Sequence, residues 1–198
     1  MGQHEGVIEL DAFAADCRVF GDVELGEGRL TDLLNELAEL RIGNAHLESL
    51  VDGHIAQADE LVVSRDELYA VVAVGPRGSA ARRLHTHASK VVAQLGPYHV
   101  AGSIHGTAAS NPLAGVLRRA PWVPLTDAVI TYQKGAHAVS EGFPTLLINR
   151  ALASSIRADI DEATPHLPWE GPETPLAKST GALDLTSSVI DEVPDETD

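Results

Sequence analysis

Cysteine occurs once in the 198 residues, as Cys17. A single thiol forms no internal disulfide and builds no cysteine-based zinc site. Aromatic residues make up only 4%, so the core has to be aliphatic and few flat side chains are available for stacking on nucleobases. No apolar run approaches the roughly 18 residues that span a bilayer. The opening residues, MGQHEGVIELD, carry neither a basic segment nor an apolar one, so no signal peptide is expected. Gly6 stands where a myristoylation signal needs Ser or Thr. A cytoplasmic protein with no membrane contact is the expectation. Also missing are G-x-x-x-x-G-K-[ST], G-x-G-x-x-G before a helix, G-x-S-x-G, H-E-x-x-H and the EF-hand loop. These absences remove the commonest nucleotide-binding, hydrolase and metalloprotease signatures. No catalytic residue and no cofactor is expected.

What is present is an ordinary globular composition, 44% hydrophobic and 22% charged. The net charge of −15 hides an uneven distribution. Residues 1–75 hold 4 Arg/Lys and 16 Asp/Glu, residues 76–150 hold 8 and 2, and residues 151–198 hold 2 and 11. An acidic first part is thus followed by a basic second part and an acidic end.

The chain also repeats itself. ELVVSRDELYAVVA (60–73) lies against TLLINRALASSIRA (145–158) at an offset of 85, and VFGDVEL (19–25) against VAGSIHG (100–106) at an offset of 81. The V-x-G-x-[VI] pattern reads as a half-buried strand, with its Gly at a bulge or a close backbone approach. Each such strand follows another, VIELDAF (7–13) or KVVAQL (90–95), and precedes a short helix. The helices are expected at 31–40, on a stripe of Leu30, Leu33, Leu34, Leu37 and Leu40, and at 112–119, with Asn111 as cap and Pro112 first. Strand-like text follows in both: RIGNAHLESLV, WVPLTDAVITYQ, then LVVSR and LLINR.

The expected fold is therefore mainly β with one short helix per unit (α+β). It consists of two tandem small β-barrel-like or half-barrel units, packed with pseudo-two-fold symmetry because units this small bury little surface alone. The units are residues 1–75 (acidic) and 84–160 (basic), with a linker at 76–83. Residues 161–198, rich in Pro, Thr, Ser and acids, read as a disordered acidic tail.

Residues 98–156, YHVAGSIHG … NPLAGVLRRAPWVPLTDAVITY … FPTLLINRALASSI, resemble an uncharacterised bacterial domain family. That family pairs a Gly-centred strand and a short helix with a PLTDA strand and an LLVNR-type strand. The first copy is similar but has RIGNAHLESL where WVPLTDAVIT stands. The resemblance implies a small β-barrel-like or half-barrel fold and supplies no catalytic residue.

Two groups of side chains remain as candidate sites. His85 and His87 form an H-x-H on a strand, a spacing that can hold a metal, with His99 and His105 close behind in sequence. The pleat puts His99 and His105 on the opposite face from His87, so surface or rim histidines are the favoured reading. The second group is a basic patch of Arg82, Arg83, Lys90, Arg118 and Arg119. Nucleic acid is disfavoured as its target by the overall −15 and the scarcity of aromatics, and self-association or a protein partner is preferred. Cys17 beside Asp16 reads as a structural thiol, and Asp127 as a structural carboxylate paired with Arg118, Arg119 or Arg150. The expected function is a non-enzymatic interaction, assembly or regulatory module. A small-ligand or anion-binding protein is the alternative, and an RNA-binding small barrel a weaker one.

Overall fold

The computed structural model describes residues 6–26, 28–74, 87–106, 112–117 and 120–159. All of them belong to the compact unit Met1–Glu162. The expected linker (76–83) and the expected tail (161–198) lie outside the described residues.

The first half contains β1 (Val7–Phe13), β2 (Cys17–Glu24), α1 (Leu30–Glu36), β3 (Glu39–Ser49), β4 (Ile55–Ser64), a single 3-10 turn (Arg65–Glu67) and β5 (Ala70–Val72). The second half follows the same order: β6 (His87–Leu95), β7 (Tyr98–Gly106), α2 (Pro112–Leu117), β8 (Trp122–Lys134), β9 (His137–Asn149), a 3-10 turn (Arg150–Leu152) and β10 (Ala153–Ala158). The period-2 readings thus become strands. The helix at α1 is shorter than its leucine stripe suggested. It ends at Glu36, Leu37 turns to an extended conformation (φ −89, ψ 139), and Leu40 is a buried residue of β3.

Among the described residues the ten strands form one antiparallel sheet, in the order β10-β6-β7-β8-β9-β5-β1-β2-β3-β4. The sheet is open, with β10 and β4 at its two ends. It carries two apolar clusters. The first-half cluster is built on Leu10, Val19, Val23, Leu34, Ile42 and Val71, and takes in Trp122 and Leu147 from the second half. The second-half cluster is built on Val91, Val100, Ile104, Leu125 and Ile130, and takes in Phe13, Leu50 and Ala70 from the first. Aromatics are few, but Phe13, Tyr98 and Tyr132 meet edge to face here, with centroids 5.5–5.8 Å apart.

The Gly-centred strands behave alike. Val19 and Val23, and likewise Val100 and Ile104, are buried. The β2·β3 register shifts between Phe20 and Asp22, and the β7·β8 register between Ala101 and Ser103. Each shift puts a bulge beside the Gly. In each bulge, on the strand facing the Gly, a non-glycine residue takes a left-handed conformation: Asn44 (φ 48) on β3 and Asp127 (φ 49) on β8.

Candidate interaction surface

β5 is the joint between the halves. It pairs with β1 on one side and with β9 on the other: Ala70↔Ile148, Val71↔Leu147, Val72↔Leu146. Neighbouring residues on a strand face opposite ways. Ala70 therefore enters the second-half cluster and Val71 the first, while Ile148 and Leu147 divide in the same manner. Leu147 is 1% exposed, and burying it contributes about 1.5–3 kcal/mol.

Polar contacts lock this seam at three places. Asn149 is fully buried, and its side-chain amide donates to the Leu68 carbonyl at 3.2 Å while its side-chain oxygen accepts from the Ala151 N–H at 3.1 Å. It thus caps its own 3-10 turn and holds the turn of the other half. Further along, Arg18 on β2 donates twice to Asp11 (2.7 and 2.8 Å) and twice to Glu141 on β9 (2.8 and 3.0 Å). The Tyr132 hydroxyl donates to the same Glu141 at 2.7 Å. The guanidinium lies 4.7 Å from the Phe13 ring centre and 4.9 Å from that of Phe20. Burial works against its charge, but Asp11 and Glu141 outweigh it and raise the Arg18 pKa. Burial and then Glu141 push the Tyr132 phenol up to about 12. At the far end the Lys134 ammonium donates to Glu48, and the Gly135 N–H donates to the Leu50 carbonyl at 2.7 Å.

The two outer edges differ from the seam. Among the described residues β4 and β10 each have a strand on one side only. β4 exposes Ile55 (53%) and Val62 (50%), two of the larger apolar side chains open to solvent. Ile156 on β10 is half-buried.

Of the basic patch, Lys90 alone is described. It is exposed on β6 opposite Ser103, and its carbonyl accepts from the Asp159 N–H. Arg82, Arg83, Arg118, Arg119 and His85 lie outside the described residues. His87 is exposed opposite Gly106, on the face that carries Val91 and Gly102. His99 and His105 are on the other face, where a ring nitrogen of His105 lies 2.8 Å from the Thr126 hydroxyl. Burial, then the charge of Arg157, lowers the His99 pKa. Among the described residues no group of three or more His, Cys, Asp or Glu is gathered as a metal site. Burial and then Asp16 raise the Cys17 pKa, which keeps it a thiol. Asp127, expected to pair with Arg118, Arg119 or Arg150, is exposed and sits in the bulge, and Arg118 and Arg119 lie outside the described residues.

The Arg18 cluster and the Asn149 lock escape sequence reading. Glu141 is 123 positions from Arg18, and only topology brings them together. Asn149 left one faint signal, as the Asn of LLINR where the similar LVVSR run of the first half has Ser64. Among the described residues no helix is long and apolar enough to cross a membrane. Comparison of the chain with protein-family models, with curated proteins and with solved structures finds no match.

Proposed function

We propose that this chain is a non-enzymatic cytoplasmic assembly module. In this reading it is a duplicated small β-domain, of the family its second half resembles, whose two copies join head to tail. The observation that carries the reading is the β5·β9 seam between unlike edges. A two-fold axis would repeat this seam as a β4·β10 pair; the pairings among the described residues include none, and this supports a head-to-tail join over the pseudo-two-fold packing expected from the sequence. The matching element order, the paired bulges and the left-handed residues Asn44 and Asp127 support duplication. The open edges and their exposed valine and isoleucine support association with further chains.

Sedimentation equilibrium of the full chain tests this. The expected mass exceeds the 20.9 kDa monomer and falls toward it as salt rises. The acidic and basic parts attract one another across chains, and salt screens such attraction over about 10 Å at 0.1 M. Arg82→Glu with Arg118→Glu weakens the association while circular dichroism keeps the fold. A monomer at every salt concentration rejects the reading. A larger, salt-sensitive shift on adding RNA favours the nucleic-acid alternative.

A further inference from the structure

The seam inside the chain also specifies a seam between chains. Its β9 contribution is Leu146, Leu147 and Ile148, whose counterparts at the offset of 85 are Leu61, Val62 and Val63 on β4. Its β5 contribution is Ala70, Val71 and Val72, whose counterparts are Ser155, Ile156 and Arg157 on β10. Both counterpart strands are the open ends of the sheet. The chain therefore presents at one end the socket it fills internally and at the other the strand that fills it.

From this we infer that β4 of one chain pairs antiparallel with β10 of a second copy, in the register Val63↔Ser155, Val62↔Ile156 and Leu61↔Arg157. The inference rests on the assembly reading above and goes further by naming the edges and the register. Three observations favour a second copy as the occupant. The first is continuity: the same pairing already exists as the β5·β9 ladder. The second is the exposure of Val62, at 50%, where its counterpart Leu147 is 1% exposed. Leu147 is covered because it reaches the neighbouring half's cluster, and Val62 lacks only the neighbour.

The third is charge. The complementarity is local to the two strands: β4 carries Asp59 and Glu60, whereas β10, at the start of the acidic part 151–198, carries Arg157 and no carboxylate. In the inferred register Arg157 lies across from Leu61, with Asp59 and Glu60 next along β4. In the internal seam Val72 and Pro144 hold the places of Arg157 and Asp59, so an apolar pair there becomes an opposite-charge pair here. Glu60 is already shared with Arg41 at 3.2 Å, and Asp159, beyond the three-pair ladder, sits beside Lys90. The contact joins unlike edges, so it repeats from chain to chain until a ring closes.

Disulfide trapping in the full-length chain, with Cys17→Ser to remove the native thiol, tests the register. One chain carries Val62→Cys and a second, distinguishable by a tag, carries Ile156→Cys. Directly opposed residues on antiparallel strands lie about 4.5–5.5 Å apart at Cα, within disulfide reach. The expected result is a covalent heterodimer on mixing and none from either variant alone. Val62→Cys linking to itself would mean that β4 meets β4 and would overturn the inference. Association by sedimentation without a 62–156 link would overturn the register and leave the assembly reading standing. A strictly monomeric wild type would remove both. Hydrogen exchange on the unmodified protein guards against variants that fail to fold. Amides at 61–63 and 155–157 should slow at least about tenfold as concentration rises through the association range, and no change there overturns the pairing.

Discussion

Arg18 is a cation held by two carboxylates and two rings, with Asp11 from its own half and Glu141 from the other. Removing one member of a partly buried charge cluster leaves the remainder uncompensated. Arg18→Ala is expected to cost about 2–4 kcal/mol in urea unfolding, because Asp11 and Glu141 would face each other without their cation. Tyr132 makes a pH prediction. Its pKa rises from 10.0 to about 12 in the fold, so the folded chain keeps a proton that the unfolded chain has already released. The stability from that proton is complete below pH 10.0 and is lost as pH climbs through about 12. Tyr132→Phe should flatten this alkaline loss in thermal melts, leaving the share that belongs to Tyr98, whose pKa burial also raises. None of this cluster was legible in the sequence, where Arg18 is one of four basic residues in an acidic stretch.

The elements were more legible. Strands β1 and β2 follow directly from alternation, and Gly21 and Gly102 were readable as positions of close approach. A Cβ on Gly102 would lie 3.1 Å from the Leu125 Cβ, whereas one on Gly21 would lie 2.5 Å from the Ile42 Cγ2 and 2.6 Å from the Gly43 carbonyl oxygen. Gly102→Val should destabilise by about 1–3 kcal/mol, and Gly21→Val by more, since backbone blocks its side chain. Equal costs in chemical denaturation would refute that ordering. The end of α1 was not legible. Leu37 and Leu40 extend a helical stripe, yet Leu40 and Ile42 also begin the period-2 pattern of β3, and tertiary burial settled the overlap. The edge strands make the sharpest contrast. Leu147→Ala should cost about 2–5 kcal/mol through the cavity it leaves. Val62→Ala, at the counterpart position, should change the melting temperature of dilute protein very little. If both are neutral, the seam does not bury what the ladder implies.

For the whole molecule, the repeated phrases disclosed two similar halves but not how they meet. The joining edge is three residues long, AVV at 70–72, and nothing in its composition marks it as paired on both sides. Nor do Trp122 and Leu147 announce that they belong to the core of the other half. The charge division between the parts was plain. The side chains that place charge at the seam, Arg18, Glu141, Lys134 and Glu48, became apparent only once the strands were in register.

The membership of Trp122 and Leu147 in the first-half cluster has a consequence for the newborn chain. Protein synthesis delivers residues 7–72 first, and an N-terminal domain ordinarily folds as it emerges. Here the first half leaves the ribosome with two core side chains still untranslated and β5 without β9. The second half, by contrast, finds Phe13, Leu50 and Ala70 already made. Both cores therefore close at one late moment, when β9 is released. Nascent chains halted before Trp122 should stay protease-sensitive throughout 7–72, and resistance should arise in both halves together once Asn149 is free. Until then the half made first depends on the half made last.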